Sequence, residues 1–259
     1  MSQLHNTSNS QSSSFVRGMR AVWIIGKREL DSFFDSLIAY ILLALFLGFT
    51  GFFTWMSGGS DIFLIGQTTL RGFFQVSFWS LFLLIPALTM RLLAEEKKSG
   101  TIELLLTKAV TDRQVILGKF FGAMTMVAIG LAFTLPYVIT LANIGNLDHG
   151  EIISGYLALT LMSGAYIAIG LFASSITNNQ IVAFLLALFI GLFFHLIFEI
   201  LASNFPGIIG TILNNLSVST HFDSISRGVV DTRDLIFFVS IIIIGLLLSE
   251  LSLTKRNTA

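Results

Sequence analysis

Six apolar stretches dominate this sequence, and each is long enough to cross a lipid bilayer as an α-helix. A hydrocarbon core of about 30 Å requires roughly 20 helical residues at about 1.5 Å each. The stretches are continuous rather than alternating, which excludes transmembrane β-strands. They cover residues 37–56, 73–90, 114–142, 152–176, 181–201 and 235–251. We therefore predict an all-α polytopic membrane protein whose six transmembrane helices form one domain over residues 37–252.

The composition excludes several other classes of protein. The chain is 54% hydrophobic and 12% charged, whereas an average soluble domain is about 25% charged. This balance excludes an ordinary soluble enzyme and a disordered chain. The 15 basic residues are matched by 15 acidic ones, so no basic field exists to bind nucleic acid. The absence of cysteine excludes disulfides, Cys-ligated metals and a thiol nucleophile.

The N-terminal region divides into two segments. Residues 1–14 are polar and rich in Ser and Asn, which predicts a disordered extension and not a signal peptide. Residues 15–36 carry a stripe of large apolar side chains at three- and four-residue steps, with charged residues over the remaining surface. This pattern predicts an amphipathic helix lying in the membrane interface before the first span. A helix packed on a soluble partner is the alternative.

The distribution of basic residues predicts the orientation of the spans. Most of the 15 lysines and arginines lie in the N-terminal segment, in the loop between the second and third spans, and at the C-terminus. Because cytoplasmic loops carry an excess of Lys and Arg, we expect both termini in the cytoplasm. The loop at 202–234 then faces the opposite side, where it is expected to form a lid, to dip into the outer leaflet, or to pair its own charges.

The loop at 91–113 is the densest polar cluster in the chain. Four charged residues, 95–98, directly follow the second span, and Gly100 allows a break after them. The apolar run of Ile102, Leu104, Leu105 and Leu106 is too short to span a membrane. Large apolar side chains in a charged loop indicate contact with lipid, with the rest of the chain, or with a partner protein.

His195 and Glu199 are the ionisable residues inside the fifth span, at i and i+4 on one face of a helix. Ionisable groups within a membrane are costly and are functional candidates by default. A count from Ile181 places the pair in the outer leaflet, where a polar anchor is as good an interpretation as a substrate or proton site.

Sequence motifs for catalysis and cofactor binding are missing. The chain has no GxxxxGK[ST] loop for ATP, no HExxH metal motif and no GxSxG nucleophile site. We therefore predict a protein that is not an enzyme and that has no catalytic, metal or cofactor residues. From residues alone, a channel, a carrier, a permease and an assembly factor all remain open.

The stretch MRLLAEEKKSGTIELLLTK at 90–108 resembles the AEEKxxGTxELLLT signature of the ABC-2 type permeases. Two further stretches, 178–184 and 221–234, are similar to the gliding-motility permeases of the GldF family within that group. The resemblance covers roughly residues 19–252. The extension before Arg17 lies outside the pattern, and Ala109 stands where the pattern has Pro.

The resemblance implies a permease subunit in the bacterial inner membrane that supports gliding motility. It implies a coupling helix in the 91–113 loop that docks on a separate ABC ATP-binding subunit, which would bind the ATP. It also implies that the 15–36 helix is a connector helix and that the membrane part is a homodimer or a heterodimer with a GldG-like subunit. The implied ATPase-coupling residues are Glu95, Glu96, Lys97, Gly100, Thr101, Ile102, Glu103, Leu104, Leu105 and Lys108.

Two other functions compete with the permease. One is a membrane scaffold that recruits an ATPase to the gliding machinery without moving a substrate. The other is an ion-coupled carrier that uses His195 and Glu199 and needs no ATPase.

Overall fold

The computed structural model describes residues 3–56, 69–101, 110–145 and 147–256, with side chains from residue 18 to residue 254 of these ranges. All regular structure in this part of the chain is helical. The helices are α1 (Gln3–Asp35), α2 (Leu37–Trp55), α3 (Arg71–Thr89), α4 (Ala94–Ser99), α5 (Asp112–Ala132), α6 (Leu135–Ile144), α7 (His149–Ser175), α8 (Gln180–Leu192), a π-helix (Phe193–Ile197), α9 (Phe198–Asn204), α10 (Ile208–Asn214), α11 (Val218–Ser226) and α12 (Thr232–Arg256).

Six helical segments of the described chain are long and apolar enough to cross a membrane, which confirms the predicted all-α plan. They are Leu37–Trp55, Arg71–Ser99, Asp112–Ile144, His149–Ser175, Gln180–Asn204 and Thr232–Thr254. The third is divided between α5 and α6 at Phe133 and Thr134, with Pro136 in the first turn of α6. Proline lacks the N–H that would continue the ladder of hydrogen bonds, so the span breaks at this point.

Helix α7 lies at the centre of the bundle. It packs against α3, α5, α8, α11 and α12, and 78% of its most apolar window is buried inside the chain. The corresponding fraction is 22% for α2, 22% for the span containing α8 and 17% for α12. These three spans therefore leave most of their apolar surface for lipid or for another subunit.

Helix α1 begins at Gln3, so it includes residues 3–14, which the sequence analysis expected to be disordered. Elongating an existing helix adds one hydrogen bond for each residue fixed, so polar residues of modest helix propensity can extend it. Helix α1 packs along α5 and ends at Asp35, and Ser36 alone separates it from the first span. The side of the bundle at which α1 meets α2 and α12 ends is called the termini side below.

The 202–234 segment is largely helical rather than an extended loop. It contains the end of α9, the short helices α10 and α11, and the start of α12. Ser217 caps α11 by accepting a hydrogen bond from the Thr220 N–H. Val218, Phe222 and Ile225 of α11 are buried, and α11 packs on α7. This segment therefore closes the bundle on the side opposite the termini.

Candidate functional site

Helix α4, which carries the first predicted coupling residues, is anchored to the end of α7 by one serine. The Ser174 hydroxyl accepts hydrogen bonds from the Leu93 and Ala94 N–H groups, at 3.0 and 2.9 Å, and donates one to the Met90 carbonyl. The first N–H groups of a helix have no partner inside it, so this buried side chain satisfies them from a neighbouring helix. Gly100, with φ 72°, ends α4 in the left-handed conformation that favours glycine.

Lys119 of α5 joins three helices through one buried ammonium group. Its Nζ atom donates to Glu29 Oε2 of α1 and to Glu96 Oε1 of α4, both at 2.9 Å. Arg28 lies 3.7 Å from the same Glu96 oxygen and supplies a second positive charge. We call these four residues the Lys119 cluster. It links the predicted connector helix, the predicted coupling loop and the third span.

The Lys119 residue is 1% exposed, and two carboxylates flank its ammonium group. Breaking such a buried pair by removal of one partner leaves a charge without solvent or counter-ion, at a cost of about 3–5 kcal/mol. Among the described residues, the other Glu96 oxygen, Oε2, is buried and has no hydrogen-bond partner. The cluster is therefore sensitive to any movement of α4 relative to α1 and α5.

Three glycines allow α1 and α5 to come into backbone contact beside the cluster. A Cβ on Gly118 would lie 2.6 Å from the Ile25 side chain, and one on Gly122 would lie 2.9 Å from the Gly26 carbonyl oxygen. These distances are shorter than real contacts allow, so only glycine fits. The GxxxG pattern at 118–122 is therefore a helix-packing seam that holds α1 against the third span.

A polar cavity of about 210 Å³ opens beside the Lys119 cluster, between α1, α4 and the start of α5. Its walls include Arg91 and Glu95, whose side chains form an ion pair at 2.9 Å, and Thr101 at the end of the described loop. Charged and hydroxyl groups line it, so the cavity is polar rather than apolar. This space allows α4 to shift against α1 without overlap of packed apolar side chains.

The predicted coupling residues fall into two groups. Glu95 and Glu96 have the partners given above, and Lys97 donates from Nζ to the Ser175 carbonyl oxygen at the end of α7. These three side chains thus bind their own chain, and their implied coupling to an ATPase stays a prediction. Gly100 and Thr101 are exposed at the end of α4. The remaining residues, Ile102, Glu103, Leu104, Leu105 and Lys108, lie outside the described residues.

His195 and Glu199 are not brought together as a pair. The π-helix at Phe193–Ile197 adds a residue to the turn, so His195 turns into the bundle while Glu199 is exposed. His195 stacks between Phe78 and Phe82, with ring centroids 4.1 and 4.2 Å away. Its Nδ1 atom lies 2.8 Å from the Tyr166 hydroxyl, and its Nε2 atom is buried and meets no hydrogen-bond partner in the part of the chain that the structure describes. Because the helix changes type here, His195 and Glu199 do not share the face that their i, i+4 spacing predicted.

The side opposite the termini has its own charged contacts. His221 Nδ1 lies 2.6 Å from Asp234 Oδ1, and His221 Nε2 lies 3.0 Å from the Asn215 carbonyl oxygen. We call His221 and Asp234 the His221 pair. It ties α11 to the start of α12.

Asp223, also on α11, lines a cavity of about 330 Å³ on the same side. Burial raises the pKa of the Asp223 carboxyl, the Glu199 carboxylate raises it further, and the Arg227 guanidinium lowers it. Glu199 therefore acts on Asp223 rather than on His195.

Sequence reasoning missed Lys119, Glu29 and the His221 pair as functional candidates. Lys119 is a visible signal, because it is the charge that interrupts the third apolar stretch. A lysine at that depth needs a carboxylate partner, but Glu29 lies 90 positions away in the sequence. Only the fold identifies the partner.

Comparison with known proteins gives one family. A family model described as ABC-2 family transporter protein matches residues 66–226. The match begins shortly before the second span and ends with α11, so it includes α4, Lys119 and His195. A comparison with curated proteins finds no match to this chain.

Proposed function

Because this chain belongs to the ABC-2 transporter family, as a membrane permease component, we propose that a separate ATP-binding subunit drives it by docking on the 91–113 loop. The termini side then faces the cytoplasm of a bacterial cell, where the ATPase and its ATP are found. The distribution of lysines and arginines supports this orientation.

The single observation that carries the proposal is the position of Lys119 between Glu29 and Glu96. The loop that would receive the ATPase is joined by this ammonium group to α1 and to the third span. Thr101 is the last described residue before 102–108, and its hydroxyl donates to the Glu96 carbonyl at 3.5 Å, so a displacement of Thr101 acts directly on Glu96. From Glu96 onward, the displacement is transmitted through the ion pairs of the Lys119 cluster and not through apolar contacts, which can adapt to a shift.

The path continues from the Lys119 cluster into the membrane. Glu29 lies on α1, which meets the first span at Ser36. The glycine seam at Gly26, Gly118 and Gly122 keeps α1 in register with the third span. We infer that α1 and the third span move as one unit against α4. The polar cavity beside the Lys119 cluster provides the space for that movement.

We further propose that the complex serves gliding motility, with a GldG-like membrane subunit or a second copy as the other half. The similarity of residues 178–184 and 221–234 to the gliding-motility permeases supports this finer assignment. The largely uncovered surfaces of α2, the α8 span and α12 offer the area that a second membrane subunit requires. Colony spreading of a strain without this chain tests it: normal spreading contradicts the assignment.

Charge reversal in the coupling loop tests the docking site. We expect Glu103→Lys to reduce ATPase co-purification from native membranes about fivefold or more, since like charges at a polar rim oppose association. The matched control is Asp35→Lys, an exposed acidic residue at the end of α1. Equal recovery of the ATPase with Glu103→Lys and with the control would contradict docking on this loop.

The scaffold and the carrier predict different results. A scaffold would keep gliding active when the partner ATPase binds but cannot hydrolyse ATP, whereas a driven permease would not. A carrier based on His195 and Glu199 would need the two groups to exchange a proton. His195 instead meets the Tyr166 hydroxyl, and Glu199 is exposed beside Asp223, which argues against that exchange.

A further inference from the structure

The flank of α1 opposite the Lys119 cluster forms a second groove with α5, and this groove is apolar. It has a volume of about 520 Å³ and is lined mainly by Met19, Val22, Trp23 and Leu30 of α1 and by Phe121 of α5. Gly26 interrupts the stripe of large side chains and leaves room in the middle. The volume falls within the range of roughly 300–1,000 Å³ that is usual for ligand sites.

The groove opens toward the bilayer rather than toward the bundle. Trp23 is 73% exposed and Phe121 is 53% exposed, although both are large and apolar. Lys119 is the last charged residue of α5 before the uncharged stretch 120–147, so Phe121 lies in the first apolar turn of the third span. The groove is therefore continuous with the lipid-facing surface of that span, at the depth where the head groups end.

Positive charge lines the outer end of the same groove. Lys27 lies in its wall and is exposed, and Arg20, two turns earlier, lies on the same face of α1. Among the residues whose side chains the structure describes, neither has a carboxylate within 4.0 Å. Asp31 also lines the groove, one turn beyond Lys27. The unpaired positive charges of Arg20 and Lys27 therefore lie further from the first span than the negative charge of Asp31 does.

We propose that this groove binds an anionic phospholipid of the leaflet at the termini side. The acyl chain lies along Leu30 and Phe121, and the phosphate lies between Arg20 and Lys27. Trp23 packs at the boundary between head group and chain, where amphipathic aromatic side chains are preferred. The lipid fills the space beside Gly26 and so supports the packing of α1 on α5.

Quenching by brominated lipids tests the proposal with the full-length chain in proteoliposomes. The chain has three tryptophans, and the variant Trp55→Phe/Trp79→Phe leaves Trp23 as the reporter. We expect phosphatidylglycerol with brominated chains to quench Trp23 at about a fivefold lower mole fraction than brominated phosphatidylcholine, since each basic side chain attracts anionic lipid. Lys27→Gln should remove most of that difference, and Lys98→Gln, an exposed lysine on α4, should preserve it.

A steric variant tests the groove apart from its charge. Thr125→Phe places a ring in the groove and should reduce quenching of Trp23 by both lipids, while Ala128→Phe, at an exposed position of α5 that does not line the groove, should not. Equal quenching by the two brominated lipids would overturn the proposal, because the groove would then hold ordinary boundary lipid. Absence of quenching by either lipid would overturn it as well, since a protein segment or a second copy would then cover the groove.

Native mass spectrometry of the otherwise unaltered chain gives a measurement that needs no tryptophan replacement. Retained phosphatidylglycerol should fall in Lys27→Gln and persist in Lys98→Gln. Equal retention in both variants would contradict a specific head-group site at Lys27.

Discussion

The two sides of the bundle are tied by buried charges of different chemistry. On the termini side, one lysine ammonium is shared by two carboxylates from two other helices. On the opposite side, both ring nitrogens of His221 face acceptors, Asp234 Oδ1 and the Asn215 carbonyl. The Lys119 cluster thus joins three helices through one atom, whereas the His221 pair joins α11 to α12.

This difference separates a tie among three helices from a tie between two. Lys119 Nζ meets carboxylates of α1 and α4, so the cluster holds both of these helices against α5. The His221 pair holds only the start of α12 against α11. The half of the molecule proposed to receive mechanical work therefore has the tie that joins more helices.

Removal of the lysine should give the largest effect. We expect Lys119→Met to destabilise the folded chain by about 3–5 kcal/mol, because the half-buried Glu29 and Glu96 carboxylates would lose the ammonium group that lies between them. Denaturant unfolding in detergent measures this, with Lys98→Met as the exposed control. Combining Lys119→Met with Glu29→Gln and Glu96→Gln should recover part of the loss. A loss below about 1 kcal/mol in the free energy of unfolding of Lys119→Met would show that the cluster does not hold the three helices together.

Breaking the opposite tie should cost less. We expect Asp234→Ala to destabilise the chain by about 1–3 kcal/mol, since the His221 Nδ1 atom would lose its partner in a largely buried site. The same unfolding measurement applies, with Asp35→Ala, at an exposed position, as the control. If Asp234→Ala cost as much as Lys119→Met, the two ties would be equivalent and the comparison would be wrong.

The smallest expected effect is a pH dependence at Asp223. Its raised pKa means that the folded state binds a proton more tightly than the unfolded chain does. Its contribution to stability is therefore present below about pH 4, the ordinary carboxyl pKa, and is lost as pH rises through the raised value. Asp223→Asn should flatten that part of the curve of stability against pH, and Glu199→Gln should move it to lower pH. An exposed carboxyl control, Asp35→Asn, should change neither.

The sequence predicts the spans well because each depends on a local property. A run of apolar residues long enough for the bilayer forms a helix whatever lies beside it, and all six runs become helical segments. The GxxxG pattern at 118–122 can also be read from the sequence. The helix that packs against it cannot, because Gly26 lies in a different apolar pattern far away in the chain.

The candidate site was harder to predict for a physical reason. Glu95, Glu96 and Lys97 look like solvated loop charges in the sequence, yet each is held by a partner brought close by the fold. The i, i+4 pairing of His195 and Glu199 assumed a regular α-helix, and one π-helical turn changes which face each occupies. Long-range ion pairs and irregular turns are not encoded in local periodicity, so these features required the structure.

The central position of α7 has a consequence for how the protein is made. Spans inserted in sequence order place three helices in the bilayer before α7, and two of them, α3 and α5, lack their contacts with α7 until the fourth span arrives. Helix α12, which also packs on α7, is the sixth span in sequence order. One face of the most deeply covered span therefore stays in contact with lipid until the sixth span has been inserted.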